Sequence, residues 1–349
     1  MNRHFSEHLI LNNSTIELAI KKLDLLASDT VLFVINSNGQ LHGSLTDGDI
    51  RRGLINGNNL NTPISEVMFK SPRSMHYNLI DAQKLQSYRL LNYKIIPLVD
   101  DTNCIVGLLN FRFQNSILPL DVVIMAGGRG SRLLPMTENT PKPLLKVGTK
   151  PIIEHIIDGL ITYGITKFDV AINHLGHLIK ETLGNGLEKG ILINYIEETE
   201  PLGTMGAVGL KIAHSNPYTL VLNSDLLTTI DYEDFFIDFL NKKADFSAVG
   251  IPYKVDIPYG IFEMENERII QISEKPTYTY FSNGGIYLFK TELIDLIPKN
   301  QNYLATDFIQ DLIEMNKKVI SYSLMDYWLD IGNHSDFERA QKDLKNRSF

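Results

Sequence analysis

A glycine-rich segment directly after an apolar run constrains the fold of this chain more than any other feature. Residues 121–126 predict a buried strand that ends at Ala126, and a loop containing Gly127, Gly128 and Gly130 follows at once. Glycines allow backbone N–H groups to approach phosphates closely. The loop lacks the Gly-Lys-Ser/Thr ending of a P-loop and the Gly-x-Gly-x-x-Gly spacing of a dinucleotide-binding fold. The segment therefore predicts a phosphate-binding loop of another kind, with a solvated turn as the alternative.

Strand and helix patterns alternate after this loop. A helix is predicted over residues 152–160, and strands are predicted over residues 168–172, 191–196 and 219–223. Such alternation indicates an α/β fold, Rossmann-like, with a mixed and mostly parallel sheet covered by helices. Ligands of these sheets bind at the carboxyl ends of the strands, so the loops at that edge should carry the chemistry.

The first third of the chain contains a degenerate repeat. A helix pattern leads to an apolar strand at residues 31–35 and then to Gly43. About 64 residues later the same order returns, with a strand at residues 95–99 and Gly107. Neither α-β-β unit can bury its own apolar face, so the two are expected to pack as a pair in an α+β domain.

Length and charge limit the functions open to the chain. With 349 residues, two domains are expected, over residues 1–116 and 117–349. The formal net charge of −8 argues against nucleic acid or an anionic membrane as a partner, so a phosphorylated substrate must be bound by local basic residues. The single cysteine, Cys104, cannot form a disulfide within the chain. The first residues lack the profile of a signal peptide, and a cytoplasmic location is expected.

Several short motifs then occur in a fixed order. The glycine loop ends in Ser131-Arg132 and is followed by Pro141-Lys142-Pro143. The later motifs are residues 200–207, Asn223-Ser224-Asp225, Glu274-Lys275-Pro276, Asn283-Gly284-Gly285 and Trp328-Leu329-Asp330. In this order they resemble the sugar-phosphate nucleotidyltransferase family, and the resemblance covers residues 121–335. Each motif is weak by itself, so the resemblance depends on their shared order.

The resemblance implies a role for each motif. The residues that would neutralise phosphates are Arg132, Lys142 and Lys275, and those that would contact the nucleotide are Ala126, Gly127, Gly128, Gly130, Gly203 and Thr204. The residues that would contact the sugar phosphate are Gly260, Glu274 and Asn283. Asp225 and Asp330 would bind Mg²⁺, a hard cation that prefers a few carboxylates together with phosphate oxygens. Ordinary roles remain open for the isolated positions, such as a turn for Asp225 and Asn283, a helix cap for Asp330 and a surface ion pair for Glu274.

The implied reaction joins a nucleoside triphosphate and a sugar-1-phosphate into a nucleotide-sugar and pyrophosphate. The Pro-Leu-Gly-Thr-x-Gly-Ala form of residues 201–207 resembles guanylyltransferases and favours GTP. Met205 stands where alanine is frequent in the family; it could reshape the base pocket, which leaves the choice of base open.

The repeat domain resembles a pair of CBS (cystathionine-β-synthase-type) motifs. Its Gly-x-x-Thr-x-x-Asp element contains Thr46 and Asp49, which would bind an adenine nucleotide. At the same offset the second repeat carries Asn110 and Phe113, so one such site or none is expected. A purely structural, dimer-forming module is the alternative. This pairing of domains resembles guanylyltransferases of legionaminic-acid-type sugar biosynthesis, which use glucosamine-1-phosphate.

Two other functions stay open at this stage. A non-catalytic subunit could use the same pocket to sense nucleotide-sugar, although related sensors lose loop or metal residues that are present here. A phospho-alcohol cytidylyltransferase would need an aromatic or acidic cation cage in place of Glu274 and Asn283, and none is evident. A homo-oligomer, dimeric or higher, is expected in either case.

Overall fold

The computed structural model describes residues 5–211 and 213–345, which form two compact units. The first unit extends to Leu118 and includes the short segment Thr162–Gly164. The second comprises Pro119–Ile161 and the chain from Ile165 onward. The first unit ends at Leu118, whereas the sequence predicts the domain boundary after residue 116. In the described part of the chain, no helix is long and apolar enough to cross a bilayer.

The first unit contains two three-stranded sheets with the same topology. Its strands and helices are β1 (Leu9–Leu11), α1 (Ile16–Leu25), β2 (Leu32–Ile35), β3 (Leu41–Leu45), α2 (Asp47–Ile55), β4 (Met75–His76), α3 (Ala82–Leu90), β5 (Ile95–Val99) and β6 (Ile105–Asn110). In each sheet the first two strands are parallel and the last two antiparallel. Gly43 pairs with Val34 and Gly107 with Leu98, and the register shifts directly after both pairs. The repeat predicted from the sequence is therefore present in the fold.

Both halves of this repeat bury side chains in a shared core. Phe33 and Leu41 from the first half pack with Ile95, Val99 and Ile105 from the second. Leu41 and Ile105 lie on strands with alternating burial, so each half has an apolar face that the other half covers. The expected packing as a pair is confirmed.

The second unit is built around one seven-stranded mixed sheet. Its elements are β7 (Leu120–Met125), β8 (Lys146–Val147), β9 (Lys150–Pro151), α4 (Ile152–Ile161), β10 (Lys167–Ile172), α5 (Gly176–Leu183), β11 (Leu192–Glu197), α6 (Gly203–Val208), β12 (Tyr218–Asn223), β13 (Leu226–Thr228), α7 (Tyr232–Asn241), β14 (Phe246–Asp256), β15 (Ile261–Glu265), β16 (Arg268–Ser273), β17 (Thr277–Lys290), α8 (Ala305–Glu314), β18 (Val319–Ser323), β19 (Trp328–Asp330) and α9 (His334–Leu344). The strand order is β11-β10-β7-β12-β17-β14-β18. Strands β11, β10, β7 and β12 are mutually parallel, whereas β17 is antiparallel to both of its neighbours. The expected mixed, mostly parallel sheet is confirmed.

The central strands bury most of their residues on both faces of the sheet. Val122, Val123 and Ile124 on β7 are at most 1% exposed. On one side of β7 the chain continues outward to β10 and β11, and it then returns to β12 on the other side. This reversal beside β7 is a topological switch point, where the loops at the carboxyl ends separate and leave a crevice.

Candidate active site

A cleft lies at this switch point, at the carboxyl ends of β7, β11 and β12. Its volume is about 310 Å³. Its lining residues are Met125, Gly127, Gly128, Lys142, Pro143, Glu198, Pro201, Gly203, Thr204, Asn223, Ser224 and Asp225. Three motifs that are far apart in the sequence therefore meet in one crevice, as expected for loops at this edge of an α/β sheet.

Two glycines of the glycine loop differ in how closely they are surrounded. Gly130 has a φ of +63°, and a Cβ there would lie 3.0 Å from Thr137 and 3.2 Å from Lys142. The hydroxyl of Thr137 donates a hydrogen bond of 2.9 Å to the Gly130 carbonyl. A Cβ at Gly128, by contrast, would meet no heavy atom within 4 Å. The loop therefore needs glycine at residue 130 for its own fold, and it keeps open space beside residue 128.

Ala126 takes part in the sheet rather than in the open part of the loop. It is 1% exposed, and its N–H donates a hydrogen bond of 2.8 Å to the Ala171 carbonyl on the neighbouring strand. Its backbone N–H is therefore already committed. The backbone N–H groups of the glycines that follow Ala126 therefore remain for the predicted nucleotide contacts.

Asp225 and Asp330 are brought together by a short antiparallel ribbon. Strand β13 begins directly after Asp225, and its first residue, Leu226, is paired with Asp330 on β19. The N–H of Ile331 also donates a hydrogen bond of 3.0 Å to the Asp225 carbonyl. Two carboxylates from distant parts of the chain thus lie beside each other, as the sequence motifs imply.

Two cationic side chains lie against this carboxylate pair. The Lys142 ammonium donates a hydrogen bond to Asp225 Oδ2, and its Nζ is 3.7 Å from Asp330 Oδ1. Burial and the negative charge of Asp225 raise the pKa of Asp330, while the charges of Lys142 and Arg132 oppose that rise. Lys142 was expected to contact phosphate, and here it bridges the two carboxylates instead. It occupies the position that a cation prefers.

The carboxylate pair fits a divalent ion. The Oδ1 atoms of Asp225 and Asp330 are both buried and without a hydrogen-bond partner in the described structure. A buried carboxylate oxygen without a partner is costly, and a hard cation would satisfy it. Over residues 5–211 and 213–345, no group of three or more His, Cys, Asp or Glu side chains could hold a metal. Two carboxylates are nevertheless what Mg²⁺ commonly takes from a protein when phosphate oxygens and water complete its shell.

Sequence reasoning missed Glu198, which lines the other end of the cleft. Its Oε2 accepts a hydrogen bond of 2.9 Å from the Leu202 N–H, and its Oε1 has no partner among the described residues. A Cβ at Gly127 would lie 2.8 Å from that Oε1, so the free oxygen faces the glycine loop. Burial raises the pKa of Glu198 above its usual value. Its position directly after an apolar strand was the available sequence signal.

Gly203 and Thr204 line the cleft as expected, but Met205 does not. Gly203 has a φ of +72°, and a Cβ there would lie 2.9 Å from the Tyr303 carbonyl oxygen. Met205 is fully buried and packs in the hydrophobic core with Val123 and Val221. The expectation that Met205 shapes a base pocket is therefore wrong, because its side chain points into the core beneath the loop.

The residues assigned to the sugar phosphate lie on the strands β14–β17 and on the turns between them. A Cβ at Gly260 would be 3.0 Å from Glu274 Oε2, so these two residues adjoin. Lys275 is exposed in the turn before β17, with a φ of +45°. The Asn283 amide donates a hydrogen bond of 2.8 Å to the Tyr287 hydroxyl, and its oxygen accepts one from the Gly285 N–H at 3.0 Å. None of these four is among the residues that line the cleft described above.

In the first unit, Thr46 and Asp49 bind each other at the start of α2. Asp49 Oδ2 accepts hydrogen bonds from the Thr46 N–H at 2.9 Å and from its hydroxyl at 2.7 Å. Asp49 Oδ1 accepts one from Arg52 at 2.6 Å. This reciprocal arrangement caps the helix. A separate cleft of about 380 Å³ is lined by Thr46, Asp47 and Gly48, but not by Asp49.

Substitutions at two loop glycines should differ in their effect on stability. Gly130→Ala is expected to lower the free energy of unfolding by about 1–2 kcal/mol, because a residue with a Cβ is strained at positive φ. Gly128→Ala should change stability by less than about 0.5 kcal/mol, because its Cβ would enter open space. Urea unfolding followed by fluorescence of Trp328, the single tryptophan, measures both. Equal loss of stability in the two variants would contradict this account of the loop.

An α/β sheet with a glycine loop and a carboxylate pair at its switch point is the arrangement expected of the nucleotide-binding class of α/β proteins. The sequence profile of the Nucleotidyl transferase family matches residues 121–347, and the chain belongs to this family.

Individual relatives agree with that assignment. Mannose-1-phosphate guanyltransferase from Saccharomyces cerevisiae is 33% identical over 226 residues, and its counterpart from Debaryomyces hansenii is 32% identical over 226 residues. In both cases the match covers 62% of this chain and 62% of the relative. The chain thus matches less than two thirds of the length of these curated relatives. A Bacillus anthracis structure described as a glucose-1-phosphate thymidylyltransferase aligns with a TM-score of 0.52 and 27% identity, over 66% of this chain and 97% of that one.

Proposed function

We propose that the protein transfers a nucleotidyl group from GTP to a hexose- or hexosamine-1-phosphate. An ionised oxygen of the sugar phosphate forms a bond to the α-phosphorus, the bond to the β-phosphate oxygen breaks, and pyrophosphate leaves with that electron pair. No proton has to move, since the nucleophile is already ionised. The main support is that the glycine loop, Lys142 and Asp225 line one cleft in a member of this family, and that Asp330 adjoins Lys142 beside it.

The chain's own residues would act by positioning and charge neutralisation. The loop at Gly128 would receive phosphates through backbone N–H groups, and Arg132 and Lys142 would offset their negative charge. Asp225 and Asp330 would hold Mg²⁺, which when bound neutralises and orients phosphate oxygens. With its two carboxylate partners holding the ion, the Lys142 ammonium would be available to a phosphate of the nucleotide.

The choice of GTP is supported by Glu198. Guanine presents N1–H and its exocyclic amine as neighbouring donors, and a carboxylate is the side chain that accepts best from such a pair. Uracil and thymine offer one N–H between two carbonyls, so a carboxylate would face repulsive oxygens. The fungal relatives are named mannose-1-phosphate guanyltransferases, which is in line with the same base.

The sugar phosphate would be bound by the neighbouring β-strand region. Gly260 lets the backbone approach a sugar ring, Glu274 would accept its hydroxyls, and Lys275 would meet its phosphate. The adjacency of Gly260 and Glu274 supports this assignment. Asn283 would first have to exchange its hydrogen bond to Tyr287. Among hexosamine phosphates, glucosamine-1-phosphate is the first candidate.

Pyrophosphate release tests the proposed function directly. The full chain should be assayed with Mg²⁺ and each common nucleoside triphosphate, crossed with mannose-, glucose- and glucosamine-1-phosphate. Release is expected with GTP and one of these sugars, and it should stop when the divalent ion is chelated. A protein that binds nucleotide-sugar but releases no pyrophosphate in any combination would be a sensor instead.

We further propose that the first unit binds one adenine nucleotide beside Thr46, in line with its CBS-like repeat. The cleft next to the start of α2 supports this, because helix N-termini favour phosphate groups. Calorimetry with AMP and ATP should then show one site per chain. A Thr46→Val variant should lose that site, and absence of binding in the wild-type protein would leave the unit with a structural role.

A further inference from the structure

Strands β14 and β17 extend beyond the central sheet and carry the hairpin β15/β16. Their distant halves are paired from Ile251 with Ser282 to Asp256 with Thr277. The hairpin β15/β16 forms a separate two-stranded sheet. We call this region, residues 251–283, the β-arm. Its side chains are almost all exposed, in contrast with the buried half of β17 that begins at Gly284.

The hairpin has one apolar and one polar face. Phe262 is paired with Ile272, and Met264 is paired with Ile269 across a bulge. The intervening pair, Glu263 with Gln271, points to the opposite face because side chains alternate along a strand. On the apolar side Phe262, Met264 and Ile272 are 54%, 55% and 60% exposed. This alternation is the pattern of a strand pair that has one face buried.

The paired strands that carry the hairpin add an aromatic face. Tyr253 is paired with Tyr280, and Tyr278 lies two residues further along the same side of β17. Tyr253 and Tyr280 are 63% and 60% exposed. Large aromatic side chains seldom stay this exposed unless they contact a partner.

An isolated two-stranded hairpin is only marginally stable in water, and it usually needs a covering layer. In the part of the chain that the structure describes, no further strand pairs with the free edges of β15 and β16. The second unit therefore carries an amphipathic hairpin, β15/β16, whose apolar face has no covering layer among the described residues.

We propose that the apolar face of the β-arm is the interface with a second copy of this chain. Five of the hairpin's six large apolar residues, Phe262, Met264, Ile269, Ile270 and Ile272, are each a little over half exposed. At about 200 Å² per large side chain they offer roughly 550 Å², and the tyrosine face raises this to roughly 900 Å² per protomer. A stable dimer needs about 800 Å² from each partner, so a second β-arm is an occupant of matching size.

Charge favours the same face for self-association. Each copy carries a formal net charge of −8, so two copies repel each other through most of their surfaces. The acidic side chains of the hairpin, Glu263 and Glu265, alternate with the apolar ones and point to the other side. A two-fold contact that uses the same patch on both subunits would bury uncharged surface and keep these carboxylates in water.

Sedimentation equilibrium of the full chain tests the proposal, and because it needs no substrate it is independent of the proposed activity. From about 1 to about 100 μM the wild-type protein should approach the mass of two chains. The double variant Phe262→Ser/Ile272→Ser removes the apolar pair and should weaken dimerisation at least about tenfold. The matched control, Glu263→Ser/Gln271→Ser, changes the neighbouring pair on the opposite face and should leave the dissociation constant unchanged.

Hydrogen exchange of the wild-type protein provides a test that needs no variant. Amides of residues 261–273 should become more protected as the protein concentration rises. A wild-type mass of one chain across the whole range would overturn the proposal. So would a dimer with the same dissociation constant in all three proteins, or one whose hairpin amides exchange at the same rate at every concentration.

Discussion

Asp225→Asn should reduce kcat for pyrophosphate release by about 10³-fold while the protein stays folded. The substitution keeps the size of the side chain but removes the charge that would hold Mg²⁺, and it also removes the ion-pair partner of Lys142. The effect should be large because Asp225 is one of only two carboxylates at this position in the described structure. Steady-state kinetics at saturating GTP and sugar phosphate give the change in kcat, and titration with Mn²⁺ gives the change in ion affinity.

The control for this variant is Asp326→Asn. Asp326 is an exposed aspartate in the loop just before β19, so its loss changes the net charge by the same amount without touching the cleft. Its kcat should stay within about twofold of wild type. Near-normal turnover by Asp225→Asn would show that the carboxylate pair does not bind the catalytic ion.

Glu198→Gln should lower kcat/KM for GTP by about 10- to 100-fold, with little effect on the sugar phosphate. Glutamine keeps an oxygen that can accept from the Leu202 N–H, so the loop should retain its shape. The Glu198 oxygen that faces the glycine loop is replaced by the amide NH2 group of glutamine, which is a hydrogen-bond donor and cannot accept from the guanine N–H groups. Competition between GTP and the other triphosphates measures the change, because the preference for GTP should fall by the same factor.

The pH dependence of KM for GTP distinguishes recognition of the base by Glu198 from a purely structural role of this residue. Since burial raises the pKa of Glu198, the carboxylate becomes protonated at a higher pH than an ordinary glutamate. Protonation removes an acceptor, so KM for GTP should rise as the pH falls through this value and stay constant above it. The Glu198→Gln variant should show no such rise of KM for GTP at low pH. The neighbouring Glu197→Gln, which changes a surface carboxylate paired with Lys180, should keep the wild-type profile and the preference for GTP.

The architecture of the second unit could be predicted from local sequence patterns. Continuous apolar runs such as residues 121–126 are typical of strands buried on both faces, and each was followed by a helix pattern or a polar loop. The strands β7, β10, β11 and β12 therefore appeared within one or two residues of their predicted bounds. The position of the cleft followed in turn, because parallel strands collect their loops at one edge.

Details that depend on tertiary contacts could not be predicted from the sequence. The strands β13 and β19 are three residues each, too short to show any periodicity, yet their pairing is what places Asp330 beside Asp225. The sequence could not show that Met205 turns into the core, because a shift of a single residue, about 100° around the helix axis, decides which side chain faces the crevice. The contact of Lys142 with two carboxylates depends on the same pairing.

The ribbon of β13 and β19 also determines when the cleft becomes complete during synthesis. A ribosome that has translated as far as β13 has made the glycine loop, Lys142 and Asp225, but not the strand that carries Asp330. A nascent chain at that stage can form most of the central sheet while its carboxylate pair is still half missing. The carboxylate pair therefore assembles only after almost all of the second unit has emerged, so truncated translation products should lack it.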